Sequence, residues 1–401
     1  MLELAEAQQR ILAATTVLPA ESVLLNVAHG RVLADKVVSQ IDLPRFDNSA
    51  MDGYAVRAVD LSSATVTAPV ALRLMGKVPA GDSFTATIQP GECVRIFTGS
   101  PLPAGADAVA MQEETQVDSH HPEQIVFLGA VKRWENIRFR GEDVKAGSTV
   151  AGVGARLSVG QLSLLGALGM ESVSVGRQPV VGLLATGSEL REAGEPLAAS
   201  EIYESNRVGL AALAKKSGAI AKVFPLVRDT LAETKGALQQ AFAQCDVVIT
   251  TGGVSVGELD FVKEAFEQLG GKLDFWKVSI KPGKPFVFGQ LGGKFLFGLP
   301  GNPVSAFVTY ILLVSPALAK MQGATKLFWP TDSCVLAEGL ENPGDRRHFV
   351  RVTVDEQGQA RSAGTQASHI LSALAHANGL VEIPPKTVFE MGRVVPVLRL
   401  D

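Results

Sequence analysis

Asp246-Val247-Val248-Ile249-Thr250-Thr251-Gly252-Gly253-Val254-Ser255-Val256-Gly257-Glu258-Leu259-Asp260 is the stretch that decides the fold. Its first part is an unbroken apolar run ending in Thr-Thr-Gly-Gly. Such a run reads as a strand buried in a sheet, followed by a turn and then a helix over 259–269. In a parallel sheet, ligands gather at the C-terminal strand ends. Backbone N–H groups freed by Gly252 and Gly253, with a helix start behind them, suit an anion. Thr250, Thr251 and Ser255 add hydroxyl donors. A tight turn relieving steric crowding would use the same glycines, but it would not need the interleaved hydroxyls. Asp260 has two local readings, a carboxylate complementing the helix dipole or a magnesium ligand beside a phosphate.

Outward from this stretch, strands and helices alternate. Strands are expected over 180–185, 219–225, 246–250 and 273–279, and helices over 205–216, 230–244, 259–269 and onward from Pro303. That spacing predicts βαβ units around a parallel sheet. Two more strand ends carry the same kind of turn. Thr186-Gly187-Ser188-Glu189 follows the first strand, and Glu189 there suits a metal or a cap. Phe297-Gly298-Leu299-Pro300-Gly301-Asn302-Pro303 leads into the long helix, with Asn302 as N-cap and Pro303 in the first turn. Lys277-Val278-Ser279-Ile280-Lys281-Pro282-Gly283-Lys284-Pro285 is a stiff positive loop. Alternation by two would put Lys277, Ser279 and Lys281 on one side, suited to phosphate.

Before this region, residues 4–17 have helical spacing and 68–150 read as a small all-β domain with frequent turn signals. Asp47-Asn48-Ser49-Ala50-Met51-Asp52-Gly53-Tyr54 reads alone as an Asx-type turn. After Met321 short strands return over 333–337, 349–354, 380–383 and 394–400, a small C-terminal β domain.

With 401 residues, several domains are expected. The formal charge of -4, from 37 basic and 41 acidic residues, argues against nucleic acid held by bulk electrostatics. Anion binding therefore needs a local cluster. Three scattered cysteines give neither a disulfide framework nor a zinc knuckle. The six histidines form no metal pair. The N-terminal residues lack signal-peptide order, and the apolar run 306–321, interrupted by Ser315 and Pro316, is short of a membrane span. A cytoplasmic protein with no membrane partner is expected.

Seven segments together resemble the molybdopterin molybdenumtransferase family, bacterial relatives of the gephyrin E domain. They are Asp47 to Val56, Arg95-Ile96-Phe97-Thr98-Gly99, Arg140-Gly141-Glu142-Asp143, Thr186-Gly187-Ser188-Glu189-Leu190, Thr251 to Glu258, Lys281-Pro282-Gly283-Lys284-Pro285 and Gly298 to Pro303. The resemblance covers almost the whole chain. It implies an elongated multidomain α/β plus β chain: a nucleotide-binding-type α/β domain with a parallel sheet, a small all-β insertion and a C-terminal β barrel. The implied boundaries are 1–53 with 141–176 for an N-terminal linking and dimerisation domain, 54–140 for the small β domain, 177–323 for the molybdopterin-binding domain and 324–401 for the barrel.

The implied reaction inserts molybdate into adenylyl-molybdopterin, with cleavage of the pyrophosphate bond, release of AMP and support from magnesium. By motif, Asp52, Asp143, Glu189, Asp229 and Asp260 would be the magnesium-binding or metal-insertion carboxylates, with Glu189 and Asp260 the metal ligands proper. Thr98 would bond substrate or an oxyanion. Gly252, Gly253 and Ser255 would bind the pterin substrate, and Lys277 and Lys281 would hold phosphate or molybdate. Pro300 and Pro303 would shape the floor, and Arg351 and Ser368 would stand on the molybdate side. A homodimer is implied, in which Asp52 and Thr98 could serve the partner chain's cleft, as is contact with the molybdopterin adenylyltransferase and downstream cofactor carriers. Ser188 departs from the family, where many members carry Asp. Two other functions compete: a molybdopterin adenylyltransferase, for which the α/β domain alone would suffice, and a non-catalytic pterin-binding scaffold.

Overall fold

In the computed structural model, which describes residues 1–117, 120–253 and 261–400, Val247–Thr251 is a strand with every residue buried. It lies third in a six-stranded sheet ordered Ile220–Val223, Val180–Ala185, Val247–Thr251, Lys294–Leu299, Val287–Leu291, Lys272–Trp276. The first four strands are parallel. The last two join antiparallel, so the sheet is mixed rather than wholly parallel. The cause is the pair Gly292-Gly293, both at positive φ, which closes a tight hairpin between two apolar strands. Two reversals restore direction, so Lys272–Trp276 runs with the parallel strands and ends at the same sheet edge.

Alternation along the strands divides the core. Val181, Val247, Ile249, Phe295 and Phe297 face the helices Asn206–Lys216, Leu4–Ala14 and Pro303–Met321. Leu184, Val248 and Leu296 face the helices Leu231–Gln244 and Val262–Gln268. Thr230 caps the former helix by accepting from the Glu233 N–H.

Helix Pro303–Met321 is the long helix expected from Pro303, and Ser315-Pro316 does not interrupt it. It runs on through a π turn at Tyr310–Val314. Pro316 has no N–H to give to the Leu312 carbonyl, and the Gln8 side chain donates there instead, at 3.0 Å. The helix is long and apolar enough by length and composition to cross a membrane, yet 89% of its apolar window is buried inside the fold.

The C-terminal strands Thr331–Leu336, Gln359–Ser362, Arg347–Val354, Gly379–Ile383 and Val394–Arg399 close into a barrel, because Arg347–Val354 also pairs with Gly379–Ile383. Ile280–Lys281, from the lysine loop, adds in parallel to Arg347–Val354.

The chain divides into two units. The sheet and the barrel belong to the first, with Met1–Asp35, Val153–Ser158 and Ser172–Asp401. The second holds Lys36–Gly152 and Val159–Glu171. Segments 1–53 and 141–176 are thus shared between the two. The second unit is built on a sheet ordered Ala108–Met111, Gly53–Val56, Glu92–Ile96, Val70–Val78, Gln124–Phe127, Thr115–Val117. Gly53 is required there: a Cβ would stand 2.0 Å from the Ala110 carbonyl oxygen.

Candidate functional site

At the C-terminal edge of the parallel strands three turns meet around a cleft of about 680 Å³. Thr186 and Glu189 follow the first strand, Gly252 and Gly253 the central one, and Pro300, Gly301 and Asn302 the next. The turns touch: a Cβ on Gly252 would lie 2.5 Å from the Thr186 carbonyl oxygen, and one on Gly301 would lie 3.7 Å from Gly252 Cα. With φ at +82°, Gly252 also has a backbone that other residues adopt only with strain.

The cleft floor holds an uncompensated donor. Thr186 is 8% exposed, and its Oγ1 is buried with no hydrogen-bond partner among the described residues. Neither the Gly252 nor the Gly253 N–H is engaged by another described residue. Buried polar groups normally find partners, so a hydroxyl and two N–H groups at one strand edge are donors an anion could use.

The carboxylates around the cleft differ in what is left to them. Glu204 accepts from the Arg207 N–H at 2.9 Å and from Nε at 2.8 Å, and Arg207 also bonds Glu192. Glu189 is exposed and has no side-chain partner among the described residues. Asp229 and Ser188 hold each other: the Ser188 N–H donates to Asp229 Oδ2 at 2.9 Å, and the Asp229 N–H donates to Ser188 Oγ at 3.2 Å. Ser188 thereby fixes Asp229 beside Glu189 without adding a third charge.

Of the residues read from sequence, Glu189, Gly252, Gly253, Pro300 and Pro303 line this cleft. Ser368 stands at its rim, accepting from Asn302 Nδ2 at 3.1 Å. Asn302 occupies the N-cap position yet makes no side-chain cap; its amide Nδ2 donates to Ser368 Oγ. Ser255 and Asp260 lie outside the described residues.

Lys277 and Lys281 are not among the residues lining the cleft. The expected alternation fails because Lys277 has φ +92°, which turns the chain, and Ser279 is buried while Lys281 is exposed. The Lys277 ammonium lies over the Trp276 ring, 4.7 Å from its centroid. Lys281 is tied to the barrel opposite His348.

Arg351 differs most from its expected role as a molybdate contact. It is 1% exposed, and its guanidinium donates to the carbonyls of Thr365, Ala367 and Ile370 and to Gln366 Oε1. Arg351 therefore ties down the loop that carries Ser368 and His369. His369 lines the cleft, as do Thr186, Tyr203 and Glu204, and sequence reasoning assigned none of them.

Asp52, Thr98 and Asp143 belong to the second unit. The Thr98 N–H and hydroxyl both donate to Asp52 Oδ1 at 2.9 Å. These bonds, with Arg95 nearby, hold the Asp52 carboxyl below the usual carboxylate range. Asp143 is exposed, with its N–H on the Leu43 carbonyl. Arg140 ties the same loop to Asp42 and Asp47.

Three family models match in order: the MoeA N-terminal region (domain I and II) over residues 2–169, a probable molybdopterin binding domain over 182–320, and the MoeA C-terminal region (domain IV) over 333–400. The chain is 42% identical over 387 residues to a Haemophilus influenzae protein named molybdopterin molybdenumtransferase, covering 94% of this chain and 93% of the relative. It is 40% identical to molybdopterin molybdenumtransferase 2 of Mycobacterium tuberculosis, covering 92% of this chain and 91% of the relative. The crystal structure of a molybdopterin biosynthesis protein from Pyrococcus horikoshii superposes with a TM-score of 0.85 at 33% identity, covering 99% of each chain. Residues, geometry and relatives agree, and the chain belongs to the molybdopterin molybdenumtransferase family.

Proposed function

We propose that this chain is a transferase that inserts molybdenum from molybdate into adenylyl-molybdopterin with release of AMP, and that the cleft at the strand edge holds the substrate by its phosphates. The observation that supports this reading is the buried Thr186 hydroxyl, without a partner among the described residues, beside the Gly252 and Gly253 N–H groups. Breaking a phosphoanhydride needs alignment and neutralisation of developing charge more than a covalent nucleophile. The two N–H groups and the hydroxyl would take the phosphate oxygens, and the Pro300-Gly301 turn would fix the substrate from the neighbouring strand end. Asp52 and Thr98 form a second, pre-ordered pair that would act on the metal-insertion side.

Magnesium fits the carboxylates present. No group of three His, Cys, Asp or Glu side chains is gathered among the described residues. This ion, however, is commonly held by one or two carboxylates plus phosphate oxygens and water. Glu189 and Asp229, on adjoining turns, would be those two. When bound, the ion would neutralise phosphate charge.

A homodimer working in the cytoplasm completes the reading. All three cysteines are free and buried, and burial pushes the Cys93 thiol up to about 12, as suits unreactive thiols in a reducing compartment. The test offers two substrate pairs. With adenylyl-molybdopterin and molybdate, AMP should be released as molybdenum cofactor forms. AMP attached to the pterin from ATP and molybdopterin would instead make the chain an adenylyltransferase, and binding without turnover would make it a scaffold.

A further inference from the structure

The cleft of about 680 Å³ has the size of one that takes a whole cofactor-like ligand, and not all of its wall is polar. Leu190, Ile202 and Tyr203 line it together, with Ile202 55% and Tyr203 47% exposed. Apolar side chains scattered singly over a surface are ordinary. Three gathered in one concavity, shared with the Thr186 and glycine donors, suit a ligand that has an apolar part. The segment that carries them is braced. Leu190–Arg191 pairs in parallel with Ile202–Tyr203, the Ile202 N–H donates to the Glu189 carbonyl at 3.0 Å, and the Glu204 N–H donates to the Arg191 carbonyl at 2.9 Å. Arg191 bonds Glu201, and buried Arg207 holds Glu204. The Tyr203 hydroxyl is committed too, donating to the Glu195 carbonyl at 2.7 Å. What Tyr203 has left to offer the cleft is its ring. Held at the backbone and at the hydroxyl, that ring can be stacked on at little entropic cost.

We propose that the Tyr203 ring is the platform on which a planar nitrogen heterocycle of the substrate stacks, with Leu190 and Ile202 completing an apolar wall. The inference rests on the cleft reading given above, and it names the part of the ligand that the phosphate donors leave unheld. Thr186, Gly252 and Gly253 alone would accept any phosphate, so choice among phosphorylated compounds must come from the rest of the lining. Among the described residues of that lining, Tyr203 carries the one six-membered aromatic ring. The lysine loop enters through Pro285, which with Pro300 and Pro303 adds short apolar surface but no π-face. Adenylyl-molybdopterin has two heterocycles, the adenine and the pterin. Either offers a flat face to a tyrosine, whatever its edge carries.

The test is calorimetric binding of AMP, molybdopterin and ribose 5-phosphate to the full chain, as wild type, Tyr203→Ala, Tyr203→Phe and Gly252→Val. Tyr203→Ala should weaken a ring-bearing probe roughly 5- to 150-fold, the range for one base stacked on an aromatic side chain. Ribose 5-phosphate, which has the phosphate and no heterocycle, should bind wild type and Tyr203→Ala alike. Tyr203→Phe keeps the ring and gives up a bond made both before and after binding, so its affinity should stay within about threefold of wild type. Tyr203 is exposed, so neither variant threatens folding. Loss for AMP alone assigns the platform to adenine, loss for molybdopterin alone assigns it to the pterin, and loss for both makes it shared; each supports the proposal. Wild-type affinity of Tyr203→Ala for both probes overturns it. So does a phenylalanine variant as weak as alanine, or an equal loss for ribose 5-phosphate. Gly252→Val separates the two layers of inference. If it weakens all three probes while Tyr203→Ala weakens none, the phosphate cleft stands and the ring platform falls. If neither change weakens any probe, the substrate lies elsewhere and the cleft reading fails as well.

Discussion

Arg351→Met separates a residue that touches molybdate from one that holds a loop. The guanidinium is buried and donates to three carbonyls and one amide oxygen, all between Thr365 and Ile370. Methionine fills much of the volume and removes every donor. Where water can reach the freed carbonyls, each lost bond costs near the low end of 1–3 kcal/mol, so the change should destabilise the loop by about 3–4 kcal/mol. That is enough to open it in a large share of molecules while the barrel core, built on Val352, Val381 and Val397, persists. Hydrogen exchange should show lost protection across 364–370, and limited proteolysis should cut there. KM should rise with kcat less affected, because Ser368 and His369 lose their placement. Arg351→Lys should sit between, since one ammonium cannot serve four acceptors. Unchanged exchange in the loop together with abolished molybdate binding would refute this reasoning and return Arg351 to the substrate.

Other predictions concern the cleft, the barrel joint and the ion. Gly252→Ala should cost about 2–4 kcal/mol, from positive φ plus a Cβ 2.5 Å from the Thr186 carbonyl oxygen, and should raise KM; urea unfolding and steady-state kinetics measure both. His348 is buried, its two ring nitrogens have no partner among the described residues, and burial, then Lys281, Arg351 and Arg346, lowers it from 6.5 to about 4. The unfolded chain then binds the extra proton, so stability is complete above 6.5 and falls as pH drops towards about 4. At about 1.4 kcal/mol per pH decade the loss approaches 3 kcal/mol. Urea midpoints across that range should show it in wild type and not in His348→Phe. Removal of magnesium by chelation should slow AMP release at least about tenfold, and Glu189→Gln should weaken the response to added magnesium.

The strand-end turns were readable because each is local: apolar run, glycine or proline, then a helix start. That gave the Val247–Thr251 strand and the Gly252-Gly253, Thr186-to-Glu189 and Pro300-to-Pro303 turns that meet in the cleft. The hairpin was missed because Gly292-Gly293 sits inside one apolar stretch, where a strand continuing and a strand reversing read alike. In the lysine loop, Pro285 lines the cleft as its place at a strand end suggested, but a single non-glycine residue at positive φ, Lys277, turns the chain and cancels the alternation on which the shared face of Lys277, Ser279 and Lys281 depended. Arg351 and His369 were beyond sequence for another reason. Whether an arginine meets substrate or backbone carbonyls depends on burial, which is tertiary. A solitary histidine, likewise, has no spacing partner to single it out.

The most direct test is a crystal soaked with adenylyl-molybdopterin in the absence of molybdate. Phosphorus density should lie within hydrogen-bonding reach of the Gly252 and Gly253 N–H groups and Thr186 Oγ1, with Pro300 and His369 against the same ligand. Density confined to the lysine loop around Lys277 and Lys281, with the strand-end cleft holding only water, would contradict the account.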